Sequence, residues 1–136
     1  MSITESTRKN LDTGQLDSLW TSIGWKSRGR KWEEVFSKSS YVYSLWNDTK
    51  LIGLGRIMED GIMCMFYDIA VHPEYQKRGL GTRIMQNLID QVKDKDYASI
   101  GLFAWEQNPA NISFYEKFGF RKVGTGMELE NYMTRE

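Results

Sequence analysis

The chain has 136 residues, 40% of them hydrophobic and 13% aromatic, which suits a packed unit and excludes a disordered one. Eighteen Lys and Arg offset eighteen Asp and Glu, so the net charge is zero and argues against binding nucleic acid by bulk phosphate neutralisation. One cysteine, Cys64, and one histidine, His72, provide neither an internal disulfide nor a zinc ligand set. Length predicts one domain over residues 1–136. "MSITESTRKN" lacks the apolar centre of a signal peptide, and no run nears the ~20 apolar residues of a membrane span. The expected location is the cytoplasm.

Leu16, Leu19, Trp20 and Ile23 recur at helical spacing, and Asp12 with Gln15 resembles a capping box at that helix's start. "SIGWKSRGRK" interrupts. "WEEVF" then predicts a short helix with Trp32, Val35 and Phe36 inward. "SYVYSLW" and "LIGLGRIM" predict two strands joined by the hairpin turn "NDTK". "IMCMFYDIAV" is apolar almost throughout, the pattern of a strand buried on both faces and central in its sheet. In "TRIMQNLIDQVKDK", Ile84, Met85, Leu88, Ile89 and Val92 form one helical stripe. "YASIGLFAW" is a further strand. "NPANISFYEKFGF" reads as a helix capped by Asn108, opened by Pro109 and stopped by Gly119. "FRKVGTGMELE" closes as strand material. The expected fold is α/β: a mixed sheet, an antiparallel meander followed by βαβ crossovers, with helices on both faces.

"YQKRGLGTRI" follows the apolar strand and leads into a helix. Unpaired N–H groups and the positive end of the dipole make a helix start an anion site. Gly79 and Gly81 let backbone approach a phosphate, and Lys77, Arg78 and Arg83 add positive charge. A P-loop needs Lys then Ser or Thr after its last glycine, whereas Gly81 is followed by Thr82 and Arg83. A dinucleotide fingerprint needs a third glycine or alanine where Ile84 stands.

Gln76-Lys77-Arg78-Gly79-Leu80-Gly81 does match the Gln/Arg-x-x-Gly-x-Gly/Ala pattern of the GCN5-related N-acetyltransferases. "DIAVHPEYQKRGLGTRIMQNLI" resembles that family's acetyl-CoA motif, and "NPANISFYEKFGF" its second cofactor motif. The two stand in the family's order, so most of the chain shares the resemblance. It implies that the backbone of Lys77 to Thr82, with Gln76, Arg78, Gly79, Leu80 and Gly81 in that turn, holds the pyrophosphate of coenzyme A. It implies that Ile69, Ala70 and Val71 pair with the pantetheine arm and that a backbone N–H there polarises the acetyl carbonyl. Asn108 resembles a residue contacting the cofactor arm, and Asn111 stands where many members have alanine. Tyr115 matches the tyrosine that protonates the departing thiolate.

The chemistry suits these types. Fixed donors on the developing oxyanion lower the barrier by roughly 3 kcal/mol. A thiol near pKa 8.5 and a phenol near 10 leave a proton transfer costing only about 2 kcal/mol. An alkylamine must lose a proton, at about 4.6 kcal/mol near pH 7. Some members take it with a strand glutamate, but Met65 stands at that position. Asp68, Glu106, Glu33, Glu34 and Tyr67 are the candidates, Asp68 being nearest the motif.

The implied activity is acetyl-CoA-dependent N-acetyl transfer to a primary amine, by direct attack in a ternary complex and without metal. A small-molecule amine is the expected acceptor. A protein amine, or a non-catalytic acyl-CoA sensor, is the alternative, and a homodimer is among the assemblies the family implies. Arg28, Arg30 and Lys31 suit an acidic acceptor or a solvated loop; Trp25, Trp32 and Trp105 suit an aromatic amine. His72 reads as a loop residue and Cys64 as a small core hydrophobe.

Overall fold

The computed structural model describes residues 2–25, 32–104 and 109–129. One sheet carries its strands in chain order: β1 (Ile3–Ser6), β2 (Tyr41–Asn47), β3 (Lys50–Glu59), β4 (Met63–Val71) and β5 (Ser99–Leu102). β1 to β4 pair antiparallel, and β5 joins β4 in parallel. Helices α1 (Thr13–Ser22) and α2 (Trp32–Ser37) precede β2, α3 (Leu80–Val92) crosses from β4 to β5, and α4 (Pro109–Glu116) follows. The mixed sheet, its meander and its crossover are as the sequence predicts.

Period-two alternation splits the strands between two cores. Tyr43, Leu45, Ile52 and Phe66 face α3 with Ile84, Met85 and Leu88. Val42, Trp46, Leu51 and Leu54 face α1 and α2 with Leu16, Leu19, Trp20 and Phe36. Full burial of each such side chain contributes roughly 1.5–3 kcal/mol. α3 lies directly on β3 because two glycines clear the way. A Cβ on Gly55 would meet Ile84 Cγ2 at 2.8 Å and Leu88 Cδ1 at 3.0 Å, and one on Gly53 would meet Ile84 Cδ1 at 3.1 Å.

The local signals are realised with two adjustments. Asp12 accepts from the Gln15 N–H at 3.1 Å, but the Gln15 Oε1 accepts from the Leu51 N–H at 3.0 Å, so the second arm of the capping box joins β3 instead. α3 starts at Leu80, two residues earlier than the stripe from Thr82 suggests. The hairpin closes with a two-residue turn, Asp48 at φ 55. Gly119 stops α4 at φ 94.

Three expectations are corrected. β1 is absent from the sequence reading: "ITES" is too short to show alternation, and pairing with β2 creates it. "FRKVGTGMELE" forms no strand among its described residues, and Val123, Met127 and Leu129 are 82%, 91% and 76% exposed. Gly124 and Gly126 weaken that segment, and no strand of the described residues pairs with it. β4 is fourth of five strands and not buried on both faces: Cys64, Phe66 and Ala70 are buried, but Met63 is exposed and Tyr67, Asp68 and Ile69 are half-buried. Its apolar run reflects a half-covered strand next to a gap.

Candidate active site

The β4–β5 ladder runs only from Met63–Ser99 to Phe66–Leu102. Beyond it, Tyr67, Ala70 and Val71 are paired with β3 on one side, and no strand of the described residues flanks the other. A ligand bearing amides can add to such an edge as a strand does. Ile69 and Val71 turn toward the α3 core and Ala70 toward the α1–α2 core.

β4 then feeds a short 3₁₀ turn, Pro73–Tyr75. His72 caps it, Nδ1 accepting from the Glu74 N–H at 3.2 Å, which is a loop role. Tyr75 is buried, and its hydroxyl accepts from Asn47 Nδ2 at 2.9 Å, seating the turn on the β2–β3 hairpin. Gln76 Nε2 donates to the Val71 carbonyl at 3.0 Å and ties the glycine loop to the strand end.

Lys77 sits at φ 64 and Gly79, the N-cap of α3, at φ 78. The Arg83 N–H donates to the Gly79 carbonyl at 3.0 Å, so the N–H groups of Leu80, Gly81 and Thr82 have no acceptor inside the helix. They face outward at the positive end of a 13-residue dipole. The two glycines serve different needs. A Cβ on Gly79 would meet nothing within 4 Å, so its requirement is the left-handed φ. At Gly81 a Cβ would lie 3.2 Å from Phe114 Cζ, so its requirement is the close approach of α4.

The flanking cations divide. Lys77 and Arg78 are exposed in the turn, with the Arg78 guanidinium 5.5 Å from the Tyr75 ring centre. Arg83, expected to add charge to the loop, reaches β1 instead: Nη2 donates to Glu5 Oε2 and Nε to the Tyr43 hydroxyl, both at 3.1 Å. Tyr43 in turn donates to Glu5. Burial and then that hydrogen bond push the Tyr43 phenol up to about 12.

Tyr115, the next residue of α4 after Phe114, packs against the α3-side core. Its ring packs edge-on against Phe114 and Phe120, at 5.4 and 6.5 Å between centres. Burial raises its pKa above the ordinary phenol value, so it stays protonated at neutral pH. Asn111 is exposed on the first half of α4. Asn108, Trp105, Glu106, Arg28, Arg30 and Lys31 lie outside the described residues.

Asp68 and Tyr115 are not brought together. Asp68 belongs to the α2 face, where its Oδ2 accepts from Arg56 Nε at 2.6 Å; Tyr115 packs on the α3 core. Glu33 accepts from Thr13 Oγ1 at 3.2 Å on the outer side of α2. Met65 lies over Gly101, whose Cβ would meet the Met65 Sδ at 3.3 Å. Arg56 escapes the sequence reading, although a cation within the apolar run "LIGLGRIM" is a signal that could have marked it.

A strand flanked on one side only among the described residues, a left-handed turn and a helix start thus follow one another from β4 into α3. The acetyltransferase (GNAT) family model matches residues 9–120, and the chain belongs to that family as an N-acetyltransferase. The chain is 37% identical to an uncharacterised N-acetyltransferase, ycf52, of Porphyra purpurea, over 90% of this chain and 72% of that one. It is 38% identical over 57 residues to the ribosomal protein bS18-alanine N-acetyltransferase of Escherichia coli, covering 42% of this chain and 38% of the relative. A GNAT family acetyltransferase from Streptococcus pneumoniae superposes with a TM-score of 0.81 at 25% identity, over 96% of this chain and 99% of the other.

Proposed function

We propose that the chain transfers the acetyl group of acetyl-CoA to a small-molecule primary amine by direct attack within a ternary complex. The observation that carries this reading is the continuity from the free edge of Tyr67–Val71, through the Gln76 tie, to the unpaired N–H groups of Leu80, Gly81 and Thr82. The diphosphate lies on those N–H groups and on the backbone of Lys77 to Gly79, with Gln76 and Arg78 beside it. The pantetheine runs along Ile69, Ala70 and Val71, and Asn111 borders the arm. The thioester then reaches the gap between β4 and β5.

The nitrogen attacks the carbonyl carbon, and a backbone N–H of β4 stabilises the oxygen. The C–S bond breaks as the tetrahedral centre collapses, and Tyr115 gives its proton to the sulfur. Because burial raises the phenol, transfer to a free thiolate is more uphill than for an exposed tyrosine. The proton lost by the amine passes to water, and water returns one to Tyr115.

Short helices on the α1–α2 face, ten and six residues, support a small acceptor. The likeness to an enzyme acting on a ribosomal protein favours the second reading, a protein N-terminus. A panel of small amines and short peptides, followed by release of coenzyme A thiol, tests both. Turnover confined to peptides overturns the small-molecule acceptor, and none with any amine overturns the transferase reading.

A further inference from the structure

Arg56 is a cation inside a strand whose neighbours Leu54 and Ile57 are buried. Its side chain is 14% exposed and that of Asp68 22%. Nε donates to Asp68 Oδ2 at 2.6 Å and Nη1 to Ser39 Oγ at 3.3 Å. The guanidinium carbon lies 5.0 Å from the Tyr67 ring centre and 5.7 Å from that of Phe36. Contacts from β4, α2 and the second residue after α2 thus converge on one side chain. An apolar pair of similar volume commonly packs as well as a buried ion pair, so core stability alone does not account for the charges.

Asp68 supplies the second observation. It stands at φ 57 without being glycine, where the β3–β4 register shifts. Leu54 pairs with Ala70 and Arg56 with Tyr67, so Asp68 and Ile69 together oppose Gly55. This is a β-bulge, and it lies immediately before the strand segment that faces the gap. A left-handed residue persists only when its surroundings enforce it. Relaxing φ at Asp68 to an extended value would swing the next peptide plane, which carries the Ile69 N–H. A donor serves a developing oxyanion only when it is held in place.

We propose that Arg56 is a positioning residue for acetyl transfer: by gripping Asp68 it fixes the left-handed bulge and so aims the β4 backbone at the thioester. The inference rests on the functional reading above. In this arrangement Asp68 holds the strand and does not take the amine's proton.

The test uses Arg56→Met alone and combined with Asp68→Gly. Glycine adopts φ 57 unaided and leaves no carboxylate stranded. Arg56→Met is expected to lower kcat at least ~10-fold with KM for acetyl-CoA within about threefold, because the loss falls on the transition state. The double variant is expected to recover to within about fivefold of wild type, a non-additivity that simple core damage does not produce. Wild-type kcat in Arg56→Met overturns the proposal. A double variant as slow as the single one also overturns it, since the carboxylate is then needed for itself. Should Arg56→Met not fold, Arg56→Gln takes its place with the same rescue.

Calorimetry of coenzyme A with the wild-type protein reports the functional reading separately. If that binding fails, amide exchange in the ligand-free protein still decides: faster exchange from Asp68 to Val71 in the Arg56 variant supports the grip, and unchanged exchange overturns it.

Discussion

At Tyr115, burial sets the phenol above its ordinary pKa, so it stays protonated across the neutral range, the form the proposed acid needs. Removing only the hydroxyl, by Tyr115→Phe, is expected to lower kcat by roughly 10²-fold while coenzyme A affinity measured by calorimetry stays unchanged. The sign of the pH effect follows. The proton is lost only as pH rises through the raised folded value, so Tyr115 produces no alkaline loss of kcat below the ordinary phenol range near 10. Stability linked to this group is likewise intact below the unfolded pKa and lost as pH rises through the folded one. An alkaline limb near pH 8 that survives in Tyr115→Phe belongs to another group. Gly79 makes a different demand, because φ 78 strains any branched residue. Gly79→Val is expected to weaken coenzyme A binding at least ~10-fold, about 1.4 kcal/mol, and unchanged affinity would place the diphosphate elsewhere. Both residues are legible in the sequence. A backbone needing positive φ is written as glycine, and an aromatic at fixed spacing in a motif keeps its neighbours. The Arg56–Asp68 pair is not legible, because it depends on a bulge register between two strands.

Among the elements, α3 is the one whose placement depends most on absent side chains. With Ile84 Cγ2 only 2.8 Å from a Cβ at Gly55, Gly55→Val must push the helix off β3. The expected cost is about 1–3 kcal/mol, read as a lower denaturant midpoint at unchanged m. A midpoint at or above wild type would show that the helix yields freely. The same helix is tied to the edge strand through Arg83, Glu5 and Tyr43. The Tyr43 hydrogen bond and then Arg83 hold the Glu5 carboxyl below its ordinary range. That contribution is present above the unfolded value of 4.5 and lost as pH falls through the lower folded one. A Glu5→Gln variant is therefore expected to be less stable than wild type at neutral pH, the difference closing in acid. The helices were readable because their stripes and caps are local. β1 and the final segment escape such reading because pairing is not local: a four-residue strand gains its identity from β2, and the alternating apolar residues after Phe120 find no strand partner among the described residues.

For the molecule as a whole, the proposed cofactor site joins the edge of β4 that no strand of the described residues flanks to the start of α3. Acetyl-CoA at 100 times its Kd is expected to stabilise the fold by about 2.7 kcal/mol, seen as a higher Tm. A Tm unmoved at saturating ligand would remove the cofactor from the account. The sheet also has a consequence for how the protein tolerates change. It separates two interiors that share strands but no buried side chain: one built around α3, one around α1 and α2. Leu88→Ala in the first and Leu16→Ala in the second should therefore cost the sum of their separate penalties. Laboratory evolution could then recast the helices before β2 while leaving the half built around α3 to keep its own stability.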